Sequence, residues 1–222
     1  MSIATENFLK EIYQLSQSPE AEAKPGIIAE KLAISNAAAT DMARNLAAKE
    51  FIIYEKYKVL RLTSKGKKLA LTLLRKHRLW ETFLYRTLNI NLSQIHNEAE
   101  LLEHSTSDFL VDKINSYLGE PAFDPHGDPI PRSNGEIPST DELIQLSTAK
   151  QGQQYFIRRL SSSENEFFEF CNDNSIEIGQ SLEVKKQYPT QNSTAIKIKE
   201  NRVLLNQELA NKIYVESKPN KT

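Results

Sequence analysis

Four prolines lie within eleven residues near the middle of this chain, at positions 121, 125, 129 and 131. Proline lacks a backbone N–H and clashes with the preceding helical turn, so no helix continues through this segment. We expect residues 120–141 to form a stiff, extended connector. Long helical patterns precede it, and short β-prone runs follow Leu146. The chain is therefore predicted to be mainly α-helical, with a small β domain at its end.

The first 64 residues have the pattern of a winged helix-turn-helix. Apolar residues recur with helical spacing between Thr5 and Ser16, and Thr5 is a candidate N-cap. Two short helices follow, separated by a turn near residues 33–36, which predicts a helix-turn-helix. The β-prone runs 51–54 and 59–62 enclose a charged tip at 55–58, which predicts a cationic hairpin, or wing.

Three helices are predicted between the wing and the connector. The first begins at Thr63 or Ser64 and continues to about Leu88, and Ser93 and Ser107 are candidate caps for the other two. Beyond Leu146, β-prone stretches at 154–160, 181–186, 194–198 and 212–215, with a helix at about 163–172, predict a barrel of the SH3 type. We expect a helical domain over residues 65–131, a linker over 132–146 and an SH3-like domain over 147–217.

Opposite charges are concentrated in adjacent parts of the chain, although the formal net charge is only −1. Residues 41–80 contain eleven Lys or Arg and three acidic residues, whereas residues 81–145 contain twelve acidic residues and three Lys or Arg. A cationic block attracts phosphate, and an anionic block attracts metal cations. The pattern favours a protein that binds both nucleic acid and a metal ion.

Potential metal ligands recur with helical spacing in the anionic block. The helix predicted after Ser93 places four of them on one face, at i, i+4, i+7 and i+8: His96, Glu100, Glu103 and His104. The preceding helix adds His77 and Glu81, again four residues apart. Asp124 and His126, within the proline-rich connector, are further candidates.

This pattern is also compatible with a solvated helix face, on which charged residues are common. Metal binding is favoured because three of the four histidines alternate with glutamates on these two faces. Carboxylate and imidazole ligands suit a divalent first-row metal, and the absence of thiolates argues against a structural zinc or iron–sulfur site.

The second helix of the helix-turn-helix is predicted to contact DNA. Its small and polar residues allow close approach to base edges in the major groove, and lysines of the wing can contact phosphate. The candidate DNA-binding residues are Ser35, Asn36, Ala37, Ala38, Thr40, Asp41, Arg44, Lys56 and Lys58. Asp41 is unusual at such a position because a carboxylate repels phosphate, although it can accept from a cytosine amino group.

Other features narrow the class of protein. The sequence contains no glycine-rich phosphate loop and no Ser or Cys nucleophile beside a basic motif, so we expect no enzymatic activity. No apolar run is long enough to span a bilayer, and the first residues lack the pattern of a secretory signal. The lone Cys171 lies among phenylalanines and is predicted to be buried. We expect a cytoplasmic protein without membrane association.

Several segments closely resemble the diphtheria-toxin-repressor family of iron- or manganese-dependent transcriptional regulators, including its manganese branch. They are ENFLKEIY (6–13), YEKY (54–57), LTSKGKK (62–68), RKHRLWE (75–81), IHNEAELLEH (95–104) and PHGDPIP (125–131). The end of the chain resembles the SH3-like domain of that family more loosely. The resemblance implies a homodimeric DNA-binding repressor that senses Mn²⁺ or Fe²⁺.

The resemblance also implies two metal sites. Glu100, Glu103 and His104 match the primary site, to which the first helix contributes Asn7. The ancillary site is matched by His77, Glu81 and His96, and the Cys-Pro-His segment of long relatives is here Asp124-Pro125-His126.

Three departures from the family pattern bear on the choice of metal. Asn7 replaces an Asp or Met, Lys10 replaces a Glu of the manganese branch, and Glu100 replaces a Cys of the iron branch. Glu100 makes the ligand set harder, which favours Mn²⁺, although Fe²⁺ uses the same ligands. The family's SH3-like ligands fall near Arg159 and Ser162, so no metal is assigned to that domain.

Two other functions are compatible with the same residues. One is a winged-helix DNA-binding dimer whose acidic helices bind no metal. The other is a metal-dependent hydrolase in which water completes the coordination shell of the same carboxylates and imidazoles.

Overall fold

The computed structural model describes residues 1–17, 21–56, 58–162 and 164–217. The chain divides into two compact units. The first contains the described residues of 1–77, together with 103–106 and 131–136; the second contains 78–102, 107–130 and the described residues of 137–217. In the described residues, no helix is long and apolar enough to cross a membrane.

The first unit is built on the helix-turn-helix. It contains α1 (Ile3–Ser16), α2 (Pro25–Lys31) and α3 (Asn36–Ala48), followed by the first part of α4 (Ser64–Leu88). The apolar faces of α1, α2 and α3 form one core, which includes Phe8, Leu9, Ile12, Ile28 and Leu46, and buried residues of this part of α4 form a second core with Tyr13. The prediction of Thr5 as the first cap was wrong: Ser2 caps α1, and its Oγ accepts from the backbone N–H of Thr5.

The wing is shorter than predicted. Its strands are β1 (Ile52–Ile53) and β2 (Arg61–Leu62), paired antiparallel, and Tyr57 of the predicted tip lies outside the described residues. Helix α4 begins directly after β2. A Cβ added to Gly66 would lie 2.0 Å from the carbonyl oxygen of Phe51, so only glycine allows this close packing.

The helical part of the second unit surrounds two small cores. It contains the remainder of α4, α5 (Leu92–Glu103) as far as Leu102, and α6 (Asp108–Tyr117). Ser107 caps α6 as predicted, whereas α5 begins at Leu92, so Ser93 lies inside its first turn. One core joins α4 and α6 to Ile130, and the other joins α4 to α5.

The connector folds back on itself instead of running straight. Phe123 and Pro129 pair in an antiparallel bridge, and one carboxylate oxygen of Asp124 accepts from the backbone N–H groups of His126 and Asp128. Gly127 has a φ of +84°, and a Cβ there would lie 1.9 Å from the carbonyl oxygen of Arg158. Proline prevented a helix as expected, but glycine and aspartate determine the turn.

The C-terminal part of the second unit is a six-stranded antiparallel sheet with strand order β3-β8-β4-β5-β6-β7. Its strands are β3 (Ile144–Gln145), β4 (Gln154–Leu160), β5 (Ser181–Tyr188), β6 (Ser193–Ile198), β7 (Asn201–Asn206) and β8 (Ile213–Ser217). Helices α7 (Asn165–Asp173) and α8 (Gln207–Lys212) pack on it, and Cys171 is buried as predicted. Ser163, the expected start of α7, lies outside the described residues. Strands β3 and β7 and helix α8 were not predicted from the sequence.

Candidate metal centre

A buried carboxylate stands at the centre of the first cluster. Glu103, the last residue of α5, is fully buried. Its Oε1 accepts from Lys10 Nζ of α1 at 2.7 Å, and its Oε2 lies 2.5 Å from His77 Nδ1 of α4. Burial alone would raise the pKa of Glu103, but the hydrogen bond from His77 and the charges of His77 and Lys10 outweigh it and lower the pKa. Glu103 is therefore ionised at neutral pH, as a metal ligand must be.

Two further potential metal-ligating atoms of the first cluster, one from Asn7 and one from His104, have no hydrogen-bond partner among the described residues. His104 Nδ1 lies 2.7 Å from Glu6 Oε2, which leaves Nε2 as the ring's second donor atom. That Nε2 is 3.3 Å from Glu103 Oε1 yet makes no hydrogen bond within the described chain, and neither does the buried Oδ1 of Asn7. Buried polar atoms are rarely unpaired. A carboxylate that holds one nitrogen of a histidine leaves the other suited to a metal.

The second cluster is formed by Glu81 of α4 and by two residues of the connector, Asp124 and His126. All three are buried, and one ligand atom from each lies within 4.8 Å of the others. His96 Nδ1 lies 3.2 Å from Glu81 Oε1, although its side chain is 48% exposed. His126 Nε2 is buried without a hydrogen-bond partner among the described residues. The cluster thus has two carboxylates and an imidazole directed at one place.

Buried acidic groups are concentrated in the second cluster. Burial, with the nearby charges of Asp128 and Glu81, raises the pKa of Asp124 to about 8. The nearest guanidinium nitrogen, Arg78 Nε, is 3.6 Å from Asp124 Oδ2. Burial lowers the pKa of His126, but the interactions with Glu81, Asp124 and Asp128 outweigh it, so the pKa is raised overall. A divalent cation would relieve this repulsion.

The SH3-like domain holds the connector beside this cluster. The backbone N–H of Leu160 donates to the carbonyl of His126, and Arg159 Nε lies 2.6 Å from Asp128 Oδ1. The rings of His126 and Phe168 have their centroids 4.8 Å apart. This packing fixes the direction of the imidazole.

Predicted metal ligands contact one another within each unit. His77 contacts Glu103 in the first unit, whereas Glu81 and His96 contact each other in the second. Glu100 is half-buried one helical turn before Glu103 on α5. Sequence reasoning missed Glu6, the partner of His104. Its one available signal was its position beside Asn7, because pairing between residues so distant in sequence depends on tertiary packing.

The candidate DNA-binding face lies on α3 and the wing. Ala37, Ala38, Asp41 and Arg44 are exposed, while Ala39, Ala43 and Leu46 of the same helix are buried. The side chain of Ser35 caps the helix, and Thr40 Oγ1 donates to the carbonyl of Asn36. Lys56 and Lys58 are exposed on the wing, and Lys58 pairs with Glu55.

Three family models match the chain and together cover most of it. Residues 1–60 match the iron-dependent repressor N-terminal DNA-binding domain, and residues 63–132 match the iron-dependent repressor metal-binding and dimerisation domain. Residues 144–217 match the FeoA domain.

Individual proteins show the same similarity. The chain is 38% identical over 113 residues to the HTH-type transcriptional regulator MntR of Bacillus subtilis strain 168, covering 51% of this chain and 78% of MntR. A solved manganese-dependent transcriptional repressor in complex with manganese is 29% identical, with a TM-score of 0.89 over 96% of this chain and 100% of that one. The manganese regulator SloR is 30% identical, with a TM-score of 0.79 over 96% and 98% of the two chains.

Proposed function

Because the chain belongs to the diphtheria-toxin-repressor family of metal-dependent DNA-binding repressors, we propose that its first cluster senses Mn²⁺ or Fe²⁺ and thereby controls operator binding by α3 and the wing. The protein acts as a homodimer on double-stranded DNA. Its place of action is the cytoplasm, where bacterial operators lie, and it needs no enzymatic activity.

One observation carries the metal proposal: unpaired buried donor atoms coincide with ligands that the sequence predicts. Asn7 Oδ1, His104 Nε2 and His126 Nε2 are buried without hydrogen-bond partners in the described part of the chain. An unpaired buried polar group costs about 1–3 kcal/mol, and three such atoms at predicted ligands indicate positions suited to a cation. Oxygen and nitrogen donors suit Mn²⁺ and Fe²⁺ equally.

We assign the predicted ligands to two sites. Asn7, Glu100, Glu103 and His104 would hold the sensing ion, with Glu6 orienting the imidazole of His104. Glu81, Asp124 and His126 would hold the other, with His96 directed by Glu81. His77 acts on the first site through its contact with Glu103. Bound metal supplies a compact divalent charge that these donors share.

The first cluster can influence DNA binding through α1. This helix carries Glu6 and Asn7 on one side and contributes Phe8 and Leu9 to the core that holds α3. A donor set that includes Asn7, Glu103 and His104 therefore ties the position of α1, and with it α3, to metal occupancy. Metal controls DNA binding in this way only if the conformation that binds DNA also binds metal more tightly than the other conformation does. A metal ion that binds both conformations equally shifts no population.

Apolar side chains support homodimer formation by the metal-binding region. Leu101, Phe109 and Tyr117 of the second unit are 73%, 72% and 69% exposed. Phe109 and Tyr117 lie eight residues apart on one face of α6, and large exposed apolar residues on one face indicate an interaction surface. A second copy of this chain is the proposed partner, because most soluble oligomers are symmetric homodimers. Light scattering should give twice the chain mass, and Phe109→Asp should shift it towards the monomer.

The deciding experiment is a mobility-shift titration with operator duplexes selected from a random library. We expect tight binding with Mn²⁺ or, anaerobically, Fe²⁺, and weak binding with chelator. His104→Ala should abolish the metal-dependent part, whereas Glu98→Ala, at an exposed position of α5, should not.

The same titration separates the alternatives. Equal binding with metal and with chelator would favour the metal-independent DNA-binding dimer and overturn the sensor proposal. Metal-dependent binding that His104→Ala leaves unchanged would overturn the ligand assignment. Elemental analysis of the purified protein gives an independent count of bound ions.

A further inference from the structure

The buried face of α3 determines which of its side chains can reach DNA. Ala39, Ala43 and Leu46 are packed in the core of the first unit. The opposite stripe contains Ala37, Ala38, Asp41, Arg44 and Asn45, all exposed. The N-terminal residues of a recognition helix contact base edges, and the alanines leave the sixth residue of the helix, Asp41, unobstructed on that stripe.

The stripe combines one carboxylate with one guanidinium. Arg44 Nη1 donates to Asp41 Oδ1 at 3.1 Å, and the side chains are 64% and 76% exposed. An ion pair this exposed contributes little to folding. It has a clear consequence near DNA, because the charge of Arg44 offsets the repulsion between the carboxylate and the phosphates. Arg44 also orients the Asp41 carboxylate, and it contacts only one of the two carboxylate oxygens, Oδ1.

Base chemistry identifies what such a carboxylate can recognise. An ionised aspartate only accepts hydrogen bonds. In the major groove the amino donors are cytosine N4 and adenine N6, and adenine also presents the N7 acceptor beside its amino group, which repels a carboxylate. Cytosine has no such acceptor next to N4, so it is the base that an aspartate prefers.

We propose that Asp41 is a specificity-determining residue that accepts from a cytosine amino group in each operator half-site, while Arg44 orients it and offsets its charge. The proposal rests on the proposed function, because α3 must lie in the major groove. It adds the identity of one base pair, which the family resemblance and the metal clusters leave open.

The test is selection of binding sites from a random duplex library by the full-length protein with Mn²⁺. The wild-type consensus should contain one cytosine per half-site that Asp41→Asn replaces with adenine, because asparagine pairs with adenine N6 and N7. At that position the preference should change by about 10- to 100-fold, and no other position should change. Glu30→Gln is the matched control: it removes one negative charge from an exposed position on α2.

Arg44→Gln provides a second arm. It should weaken binding to all sequences, because the repulsion between Asp41 and the phosphates is no longer offset, and it should also reduce the preference for cytosine, because the Asp41 carboxylate is no longer oriented. A cytosine preference that Arg44→Gln leaves unchanged would overturn the orienting role of Arg44.

The outcomes separate this inference from the proposed function. An unchanged consensus with Asp41→Asn, while metal-dependent binding persists, overturns the inference alone. The same holds if Glu30→Gln changes the same base. Failure of the wild-type protein to enrich any sequence with Mn²⁺ overturns the proposed function and the inference together.

Discussion

The two donor clusters contain similar side chains but balance their charge differently. In the first, the ammonium of Lys10 and the ring of His77 share the carboxylate of Glu103, and the pKa of that carboxylate is lowered. In the second, the carboxylates of Asp124 and Glu81 lie close together with Arg78 as the nearest guanidinium, and burial with the nearby charges raises the pKa of Asp124 to about 8.

This difference separates two ways of preparing a metal site. Lys10 already supplies a positive charge to the first cluster, so an arriving cation gains less there. In the second cluster two buried carboxylates lie close together, and the nearest guanidinium nitrogen is 3.6 Å from Asp124, so a cation that replaces the proton of Asp124 relieves their repulsion. We expect the first cluster to respond over a higher range of metal concentration, as a sensor requires, and the second to keep its ion more firmly.

The largest effect on stability is expected when the Glu103 carboxylate, which Lys10 and the neighbouring histidines contact, is removed. Glu103→Ala should lower the free energy of unfolding of the metal-free protein by about 3–5 kcal/mol, because it leaves Lys10 and two imidazoles without their shared buried acceptor. Urea unfolding in the presence of chelator measures this. Glu98→Ala, exposed on the same helix, should change stability by less than about 0.5 kcal/mol. Equal effects of the two variants would contradict the description of the first cluster.

Gly127→Ala is the corresponding test of the second cluster. The added Cβ would lie 1.9 Å from the carbonyl oxygen of Arg158, at a φ of +84°. Left-handed backbone alone costs an L-residue about 1–2 kcal/mol, and displacement of the connector from Arg158 adds to it. Metal titration should show loss of the ion held by Asp124 and His126, with the first site retained.

Gly152→Ala is the matched control for that variant. Gly152 has a φ of +81°, but a Cβ there would meet nothing within 4 Å. Gly152→Ala should therefore lose only the stability that the left-handed backbone conformation costs an alanine, with no loss from a steric clash. If thermal unfolding gives the same loss of stability for both variants, the close approach to Arg158 is not what makes glycine necessary in the connector.

The sequence predicts which residues are neighbours within one helix or strand better than which residues contact each other between different helices or strands. Helical spacing correctly placed Glu100 and Glu103 one turn apart on α5. It could not predict that His77 contacts Glu103 or that Glu6 contacts His104, because these pairs are 26 and 98 residues apart and depend on how the helices pack.

The same limit applies to the β domain and the connector. Strand β7 (Asn201–Asn206) was missed because three apolar residues between polar ends give only a short β signal. Helix α8 was missed although Asn206 caps it, because six residues are too few for a helical period to show. Prolines predicted where helices stop, but the reversal at Asp124 depends on side-chain to backbone hydrogen bonds.

Lys10→Met should have an intermediate effect, and it should strengthen Mn²⁺ binding. Removing the ammonium from Glu103 should raise the Mn²⁺ affinity of the first cluster about tenfold, because a unit charge about 5 Å from a divalent ion repels it by about 1–2 kcal/mol even in water. Competition with a fluorescent chelator measures the affinity. Lys31→Met, which removes a half-exposed lysine paired with Glu11, should leave it unchanged. An unchanged affinity with Lys10→Met would mean that Lys10 does not compete with metal.

Of these variants, Arg159→Gln should have the smallest effect on stability and on metal affinity. Arg78 is the guanidinium beside Asp124, whereas Arg159 lies one step further out: its Nε reaches Asp128 at 2.6 Å, and both side chains of that pair remain 21–27% exposed. A partly exposed pair contributes no more than about 1 kcal/mol to stability. The equilibrium constants for unfolding and for Mn²⁺ binding should therefore each change by less than tenfold. Arg158→Gln, which breaks the similarly spaced pair with Glu216, is the matched control for stability. If Arg159→Gln cost as much stability as Glu103→Ala, the partly exposed pair of Arg159 and Asp128 would matter as much as the buried contacts of Glu103, and the contrast between the clusters would be lost.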